Sequence, residues 1–380
     1  MVRSSGTATE SQDGGDARAS GVGAAAGPTI RSGQRAARIL VTIQHPAHVH
    51  FFRPIIEELT DRGAEVRVCA REKDVAVELL DAENIEHEVL AGSRTSTLGR
   101  AAVQAVYEGR LLRVARRFDP DVITAIGGVA AAHVATVTGA TSVVMNDSEP
   151  ATLTNRLAFP FADVVCTPSW YGDSIDGEHV TYDGFHELAY LHPDRFTPDP
   201  DRVREQGVEP TDTYTVIRLV SWSAQHDVGE SGFSAAGVES LVETCASHGD
   251  VYVSAEGEAQ LPPKGDPIPV EPADLHHLLA FADCYVGDSQ TMATEAGLLG
   301  TPSVRYNSFV GADDMANFRE LADAGLVVST DEEATAIEKA DEYLADGGAR
   351  ERWAERLATY RAEKIDVTSF VTDLLGEAAA

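Results

Sequence analysis

The sequence predicts an α/β protein made of two doubly wound halves, and three observations predict it. From residue 37 onward, short β-branched apolar runs alternate with longer amphipathic ones, the succession that builds an open parallel sheet with helices on both faces. The alternation lapses over 179–203 and then restarts. At 380 residues the chain also exceeds the roughly 250–300 at which single cores stop growing.

The elements follow in order. ARILVTI (37–43) reads as a buried strand, and FFRPIIEELTDRG (51–63) as an amphipathic helix closed by Gly63. EVRVCA (65–70) is a second strand, with helices expected over 74–82 and 98–118. DVITAI (121–126), a helix over 129–138, SVVM (142–145) and ADVVCT (162–167) complete the first half. HVTYDGFHELAYLHPDRFTPDPDRV (179–203) is rich in Pro, Asp and aromatics without sustained periodicity, and reads as the crossover. The second half runs through YTVIRLV (214–220), a helix over 235–247, DVYVS (250–254), a helix over 274–282, CYVG (284–287), a helix after Ser289 and PSVRY (302–306), with helices filling the rest. The expected organisation is therefore a disordered tail over 1–36, a domain over 37–185, a linker over 186–210, a domain over 211–360 and a C-terminal helix over 361–380.

Composition narrows the function. The chain carries 61 acidic against 30 basic residues, a net charge of −31, which argues against nucleic acid as a partner. Only Lys73, Lys264, Lys339 and Lys364 are lysines, which favours a surface adapted to a salt-rich cytoplasm over an ordinary acidic cytosolic protein. Cys69, Cys166, Cys245 and Cys284 lie far apart in apolar or helix-like segments and read as buried small hydrophobes. No run of 18 apolar residues is present to span a bilayer, and residues 1–36 lack the apolar segment of a secretory signal. A cytoplasmic location is the expectation.

Polar clusters fall on the predicted strand-to-helix turns, where open parallel sheets bind ligands. In GDSQTMATEAGLLGTPSVR (287–305), Asp288, Ser289, Gln290 and Thr291 open a helix and Glu295 lies in its second turn. Backbone N–H groups there suit a diphosphate, and the carboxylate suits a ribose diol; alternatively Asp288 or Ser289 caps the helix and Glu295 solvates its face. HPAHVHFFRP places His45, His48 and His50 after the first strand. This suggests ligand contact, with a histidine as base, rather than a metal site, because the spacing is not a zinc pattern. MNDSEPATLTNRLA crowds Asn146, Asp147, Ser148 and Glu149 at a loop tip with Asn155 beyond, either a site or a capped Asx turn. The pair Gly127-Gly128 permits close backbone approach to a ligand or only a tight turn. VIRLVSWSAQHDVGESG brings Arg218, Ser221, Ser223, His226 and Asp227 to the start of the second half.

These segments resemble the GT-B superfamily of nucleotide-sugar enzymes, two Rossmann-like domains around a cleft. GDSQTMATEAGLLGTPSVR is similar to the donor-binding segment of UDP-N-acetylglucosamine 2-epimerases and of the peptidoglycan N-acetylglucosaminyltransferase. NDSEPATLTNRLA resembles the transferase's acceptor-side loop, and His48 falls opposite its loop histidine. HPAHVHFFRP, YDGFHELAYL and GDSQTMATEAGLLGTP resemble domain-of-unknown-function family 354 from residue 38 onward. The first loop has no glycines, and Gln290 and Thr291 stand where the epimerase has paired glycines.

The resemblance implies a GT-B glycosyltransferase using a nucleotide-diphosphate sugar, UDP-linked in those families, and an acceptor of unspecified glycan, lipid or small-molecule class. It implies His48 as base, with Asp147 or Glu149 as its alternate. Arg218, Ser223, His226, Asp288, Ser289, Gln290, Thr291 and Glu295 would bind the donor, and His45, His50, Gly127, Gly128, Asn146 and Asn155 the acceptor. No cofactor and no metal are expected, helix N–H groups carrying the phosphate charge. A sugar-nucleotide 2-epimerase or hydrolase, and a non-catalytic nucleotide-sugar-binding protein, are the alternatives.

Overall fold

Two parallel sheets, each covered by helices on both faces, follow one another along the chain. The computed structural model describes residues 35–73, 75–92, 97–220, 232–255, 262–307, 310–311 and 314–380. The first lobe contains β1 (Arg38–Ile43), α1 (Pro46–Asp61), β2 (Glu65–Arg71), α2 (Ala76–Ala82), β3 (His87–Ala91), α3 (Thr97–Phe118), β4 (Val122–Ile126), α4 (Val129–Thr138), β5 (Thr141–Met145), α5 (Thr152–Ala158), β6 (Val164–Pro168) and β7 (Glu178–Tyr182). Short helices α6 (Leu188–Leu191) and α7 (Pro200–Arg204) lead to the second lobe. That lobe contains β8 (Tyr214–Leu219), α8 (Ala235–Cys245), β9 (Asp250–Ala255), β10 (Asp266–Pro267), α9 (Leu275–Phe281), β11 (Cys284–Gly287), α10 (Gln290–Leu299), β12 (Ser303–Tyr306), α11 (Ala316–Asp323), β13 (Val327–Thr330), α12 (Glu333–Ala345) and α13 (Ala349–Arg361). The last helix, α14 (Val367–Ala378), follows.

The strand orders are β3-β2-β1-β4-β5-β6-β7 and β10-β9-β8-β11-β12-β13, and the paired strands of both sheets are parallel. Each order reverses once, between β1 and β4 and between β8 and β11, so each lobe has one switch point where a crevice opens beyond the strands' carboxyl ends. Register sets those ends side by side. Val41 of β1 pairs with Val68 and Thr124, and Ile217 of β8 pairs with Val253 and Val286. The strands are apolar on both faces because helices cover both. One continuous core joins Ile39, Val41 and Phe52 of the first lobe to Tyr285, Ala293 and Ala296 of the second, while separate clusters fill the outer face of each sheet.

Several expectations need correction. The first helix begins at Pro46, with His45 as N-cap, rather than at Phe51, because proline is well suited to a first helical position. His48 and His50 therefore ride on the helix and not in a loop. The stretch expected as crossover supplies β7, and the residues expected as linker supply α6, whose Leu188, Ala189, Tyr190 and Leu191 are all buried. Strands β3, β10 and β13 were not expected, and β13 breaks the expected all-helical end. All four cysteines are free and buried, and burial pushes Cys69, Cys166 and Cys245 up to about 12.

Gly128 at the N-cap of α4 has φ +44°, and a Cβ there would lie 2.7 Å from Val144 Cγ2. Gly128→Ala is expected to cost about 1–3 kcal/mol, read as a lower urea midpoint at unchanged m-value. A midpoint equal to that of the wild type would contradict this account of the turn.

Candidate functional site

A cavity of about 340 Å³ lies where the two switch points meet, within the roughly 300–1,000 Å³ of small-molecule sites. From the first lobe it is lined by His45, Ala47, His48, Phe51, Ile126, Gly127, Asn146, Asp147, Ser148, Ala151 and Thr154, and from the β7–α6 segment by His186, Glu187 and Tyr190. The second lobe adds Gln290, Thr291, Thr294, Met315 and Asn317. The amino ends of α1, α4 and α10 thus converge on one space. The helix dipole makes such ends positive, which suits the cavity to an anion. At α1, however, Pro46 has no N–H and the N–H groups of Ala47 and His48 donate to His45, so that end offers its dipole rather than free backbone donors. No Lys or Arg among the described residues lines it.

The histidines at α1 add neutral donors. Nδ1 of His45 accepts the backbone N–H of Ala47 at 3.2 Å, and Nδ1 of His48 accepts that of Gln44 at 3.4 Å. Burial, with His45 and His186 close by, pushes His48 well below the usual histidine range. A neutral ring that accepts at Nδ1 carries its proton on Nε2. In this tautomer the ring proton of His48, which lines the cavity, is on Nε2.

A second histidine, His186, pairs with a carboxylate. Its Nδ1 lies 3.0 Å from Asp147 Oδ2, and its ring packs 4.7 Å from that of Phe51. The Nδ1–H donated to Asp147 leaves a lone pair on Nε2, which is buried and has no hydrogen-bond partner among the described residues. Burial alone would push the Asp147 carboxyl up, but His186, by charge and hydrogen bond, and then His48 hold it below the usual carboxylate range. A carboxylate that fixes the tautomer of a histidine with a free Nε2 is the arrangement of a general base.

Glu295 is 3% exposed and does not line the cavity. Its Oε1 accepts from Tyr190 Oη at 2.7 Å and His276 Nε2 at 2.9 Å. The His50 ring packs 4.7 Å from that of His276 and 5.4 Å from that of Tyr190. Burial opposes the charge on Glu295, yet His276, His50 and the Tyr190 hydroxyl hold its pKa below the usual range. This cluster ties α1 and α6 to α9 and α10, and neither Glu295, expected at the ribose, nor His50, expected at the acceptor, is among the residues lining the cavity.

Residues 37–187 match the family model "Protein of unknown function (DUF354)". No curated protein matches the chain. Among solved structures, the spinosyn forosaminyltransferase SpnP has a TM-score of 0.62 at 16% identity, covering 91% of this chain and 100% of its own. MurG of Acinetobacter baumannii reaches 0.54 at 16%, covering 90% and 99%. A Listeria monocytogenes protein described as a UDP-N-acetylglucosamine 2-epimerase reaches 0.60 at 14%, covering 84% and 91%. At these identities the likeness concerns the fold, which is GT-B.

The cavity brings together the expected His45, His48, Gly127, Asn146, Asp147, Gln290 and Thr291. It does not include the other described candidates. Asp288 Oδ1 accepts the Val220 N–H at 2.7 Å and so ties the end of β8, and Ser289 is the N-cap of α10, accepting from Met292 N at 3.4 Å. Arg218 Nη1 donates to Ser254 Oγ at 2.5 Å. Glu149 accepts the Gly172 N–H at 3.2 Å and does not reach the cavity. Asn155 donates to the Ser148 carbonyl at 3.1 Å and to Tyr171 Oη at 3.2 Å, shaping the loop from behind. Gly128 faces Val144. Ser221, Ser223, His226 and Asp227 lie outside the described residues. Among the described residues no three His, Cys, Asp or Glu side chains converge as a metal-ligand set, and no helix is long and apolar enough to cross a membrane.

Sequence reading missed His186, Glu187, Tyr190 and His276. His186 follows the carboxyl end of β7, so the rule that found the other clusters applies to it once EHVTY is read as a strand.

Two outcomes test the cluster. Tyr190→Phe removes a hydrogen bond to a buried carboxylate and is expected to cost about 1.5–3 kcal/mol in urea denaturation; a cost near zero would contradict the cross-lobe tie. Burial and the neighbouring His276 push His50 down to about 3 from its usual 6.5. Between those values the unfolded chain binds a proton at His50 that the folded chain does not. Stability is therefore present above pH 6.5 and declines as pH falls toward 3, by up to about 1.4 kcal/mol per pH unit from this residue. His50→Gln should flatten that slope, and an unchanged slope would contradict a buried neutral His50.

Proposed function

We propose that this protein is a glycosyltransferase that moves a sugar from a nucleotide-diphosphate donor to an acceptor hydroxyl within the cavity between its lobes. The observation that carries the reading is the Asp147–His186 pair, which lines one cavity with the first turn of α10. The donor's diphosphate sits against the amino ends of α1 and α10, with Gln290, Thr291 and the Nε2–H groups of His45 and His48 as hydrogen-bond donors. The acceptor enters from the side of Asn146, Ser148 and Thr154.

His186 takes the acceptor hydroxyl proton as that oxygen attacks the anomeric carbon. Asp147 stabilises the imidazolium that forms, and the bond to the β-phosphate oxygen breaks with its electron pair left on the phosphate. The fold likeness to glycosyltransferases, the architecture of two switch points and the anion-suited cavity support this assignment. The acidic, lysine-poor surface fits work in a salt-rich cytoplasm.

A donor-only reaction, hydrolysis or 2-epimerisation, is the second reading, favoured by a further carboxyl, Glu187, on the same cavity. Product analysis with and without acceptors separates the two.

The test has two stages. A thermal-shift panel of UDP-, dTDP- and GDP-sugars should stabilise the protein with at least one member; stabilisation by none would refute the reading. With that donor, His186→Ala and Asp147→Asn should lower turnover about 10²–10⁴-fold while ligand-induced stabilisation remains, and His48→Gln should lower it less. Turnover insensitive to His186→Ala would remove the assigned base.

A further inference from the structure

Arg305 is the largest fully buried side chain among the described residues, and no step of the proposed reaction uses it. It stands on β12 in register with Gly287, the last residue of β11 before the turn into α10. Ser303, two residues earlier on the same face of the strand, donates its hydroxyl to the Ala293 carbonyl of α10 at 3.0 Å. Arg305 therefore faces the α10 side of the sheet and lies nearer the amino end of that helix.

One short segment grips its guanidinium. Nη2 donates to both carboxylate oxygens of Asp314, at 2.6 and 2.7 Å, and Cζ lies 3.5 Å from the centroid of the Phe318 ring. Asp314 Oδ1 also accepts the Met315 N–H at 2.8 Å, and the Asp314 carbonyl accepts from Arg319 Nη1 at 2.7 Å. Between Asp314 and Phe318 stand Met315 and Asn317, and both line the cavity. One side chain thus holds both ends of the segment through which α11 reaches the cavity.

The arrangement is costly. Nε and Nη1 of Arg305 are buried and have no hydrogen-bond partner among the described residues. Burial pulls the guanidinium below its usual range, although Asp314 opposes this. A buried ion pair is often no more stable than apolar groups of the same volume, and unsatisfied N–H groups add to its cost. Packing alone would be served as well by a methionine. What the pair provides and an apolar contact does not is direction, because a carboxylate and an aromatic face each meet a planar guanidinium in few orientations.

We propose that Arg305 is a positioning residue of the donor site, holding Met315 and Asn317 on the cavity wall through Asp314 and Phe318. It does not itself line the cavity. The proposal deepens the transferase reading above and rests on it.

Isothermal titration of the full chain tests this, the probe being the UDP-, dTDP- or GDP-sugar that stabilises the wild type most. Arg305→Met combined with Asp314→Asn removes both charges together, so no buried ion is orphaned, and the amide oxygen can still accept the Met315 N–H. The double variant is expected to unfold in urea at a midpoint within about 0.5 M of the wild type. It should nevertheless bind the donor about tenfold more weakly, the worth of one hydrogen bond from a displaced wall. Arg305→Lys keeps the charge but loses the planar face over Phe318, and should bind about threefold more weakly. A double variant with the wild-type midpoint and the wild-type affinity overturns the proposal, because the pair would then serve packing alone. If the double variant does not fold, Arg305→Lys decides: weakened binding at an unchanged midpoint supports the proposal, and wild-type affinity overturns it. Loss of cooperative unfolding in both variants also overturns it, since the pair would then be required by the fold and not by the site. Failure of every panel member to stabilise the wild type would instead strike the transferase reading itself, and this proposal with it.

Discussion

The hydrogen bond from Tyr190 to Glu295 is the constraint on which the rest of the site depends. It joins residues 105 apart in the chain and fixes the α6 segment against α10. Tyr190 stands four residues after His186, and Glu295 one turn after Thr291, so one bond sets the register between His186 and the first turn of the second-lobe helix. A buried carboxylate must be satisfied or neutralised. Here His276 and Tyr190 satisfy it, and His50 packs the cluster from α1. The continuous core beneath joins the lobes, and the polar cluster specifies how they join.

The proposed anion recognition in this cavity follows a consistent principle. Helix amino ends from both lobes supply partial positive charge, and neutral imidazoles supply directed N–H groups. No full cation among the described lining residues contributes. Such donors stabilise charge that appears on a phosphate as a bond breaks, without holding a formal charge of their own in a desolvated space. In the proposed reaction the Asp147–His186 pair then stands as the base.

Much of the architecture was legible in the sequence because strands buried on both faces must be apolar throughout, as ILVTI and CYVG are. The strands that escaped, β3, β7, β10 and β13, are short or polar. EHVTY of β7 lies at a sheet edge with much of its surface exposed, so no apolar run marks it. Missing that strand hid the turn after it and with it His186 and Glu187. Among the polar residues after recognised strands, His45, His48, Asp147, Gln290 and Thr291 line the cavity. Which of them would turn inward as caps and tethers, as Ser289, Asp288 and Glu149 do, depends on partners such as Val220 and Gly172 that sequence proximity does not reveal.

A crystal structure of the protein soaked with the nucleotide diphosphate of its preferred donor tests the central claim most directly. The account places the β-phosphate within hydrogen-bond distance of Gln290 and Thr291 at the start of α10, with His186 Nε2 facing the space where the anomeric carbon would lie. A nucleotide bound elsewhere, with this cavity holding only solvent, would contradict it.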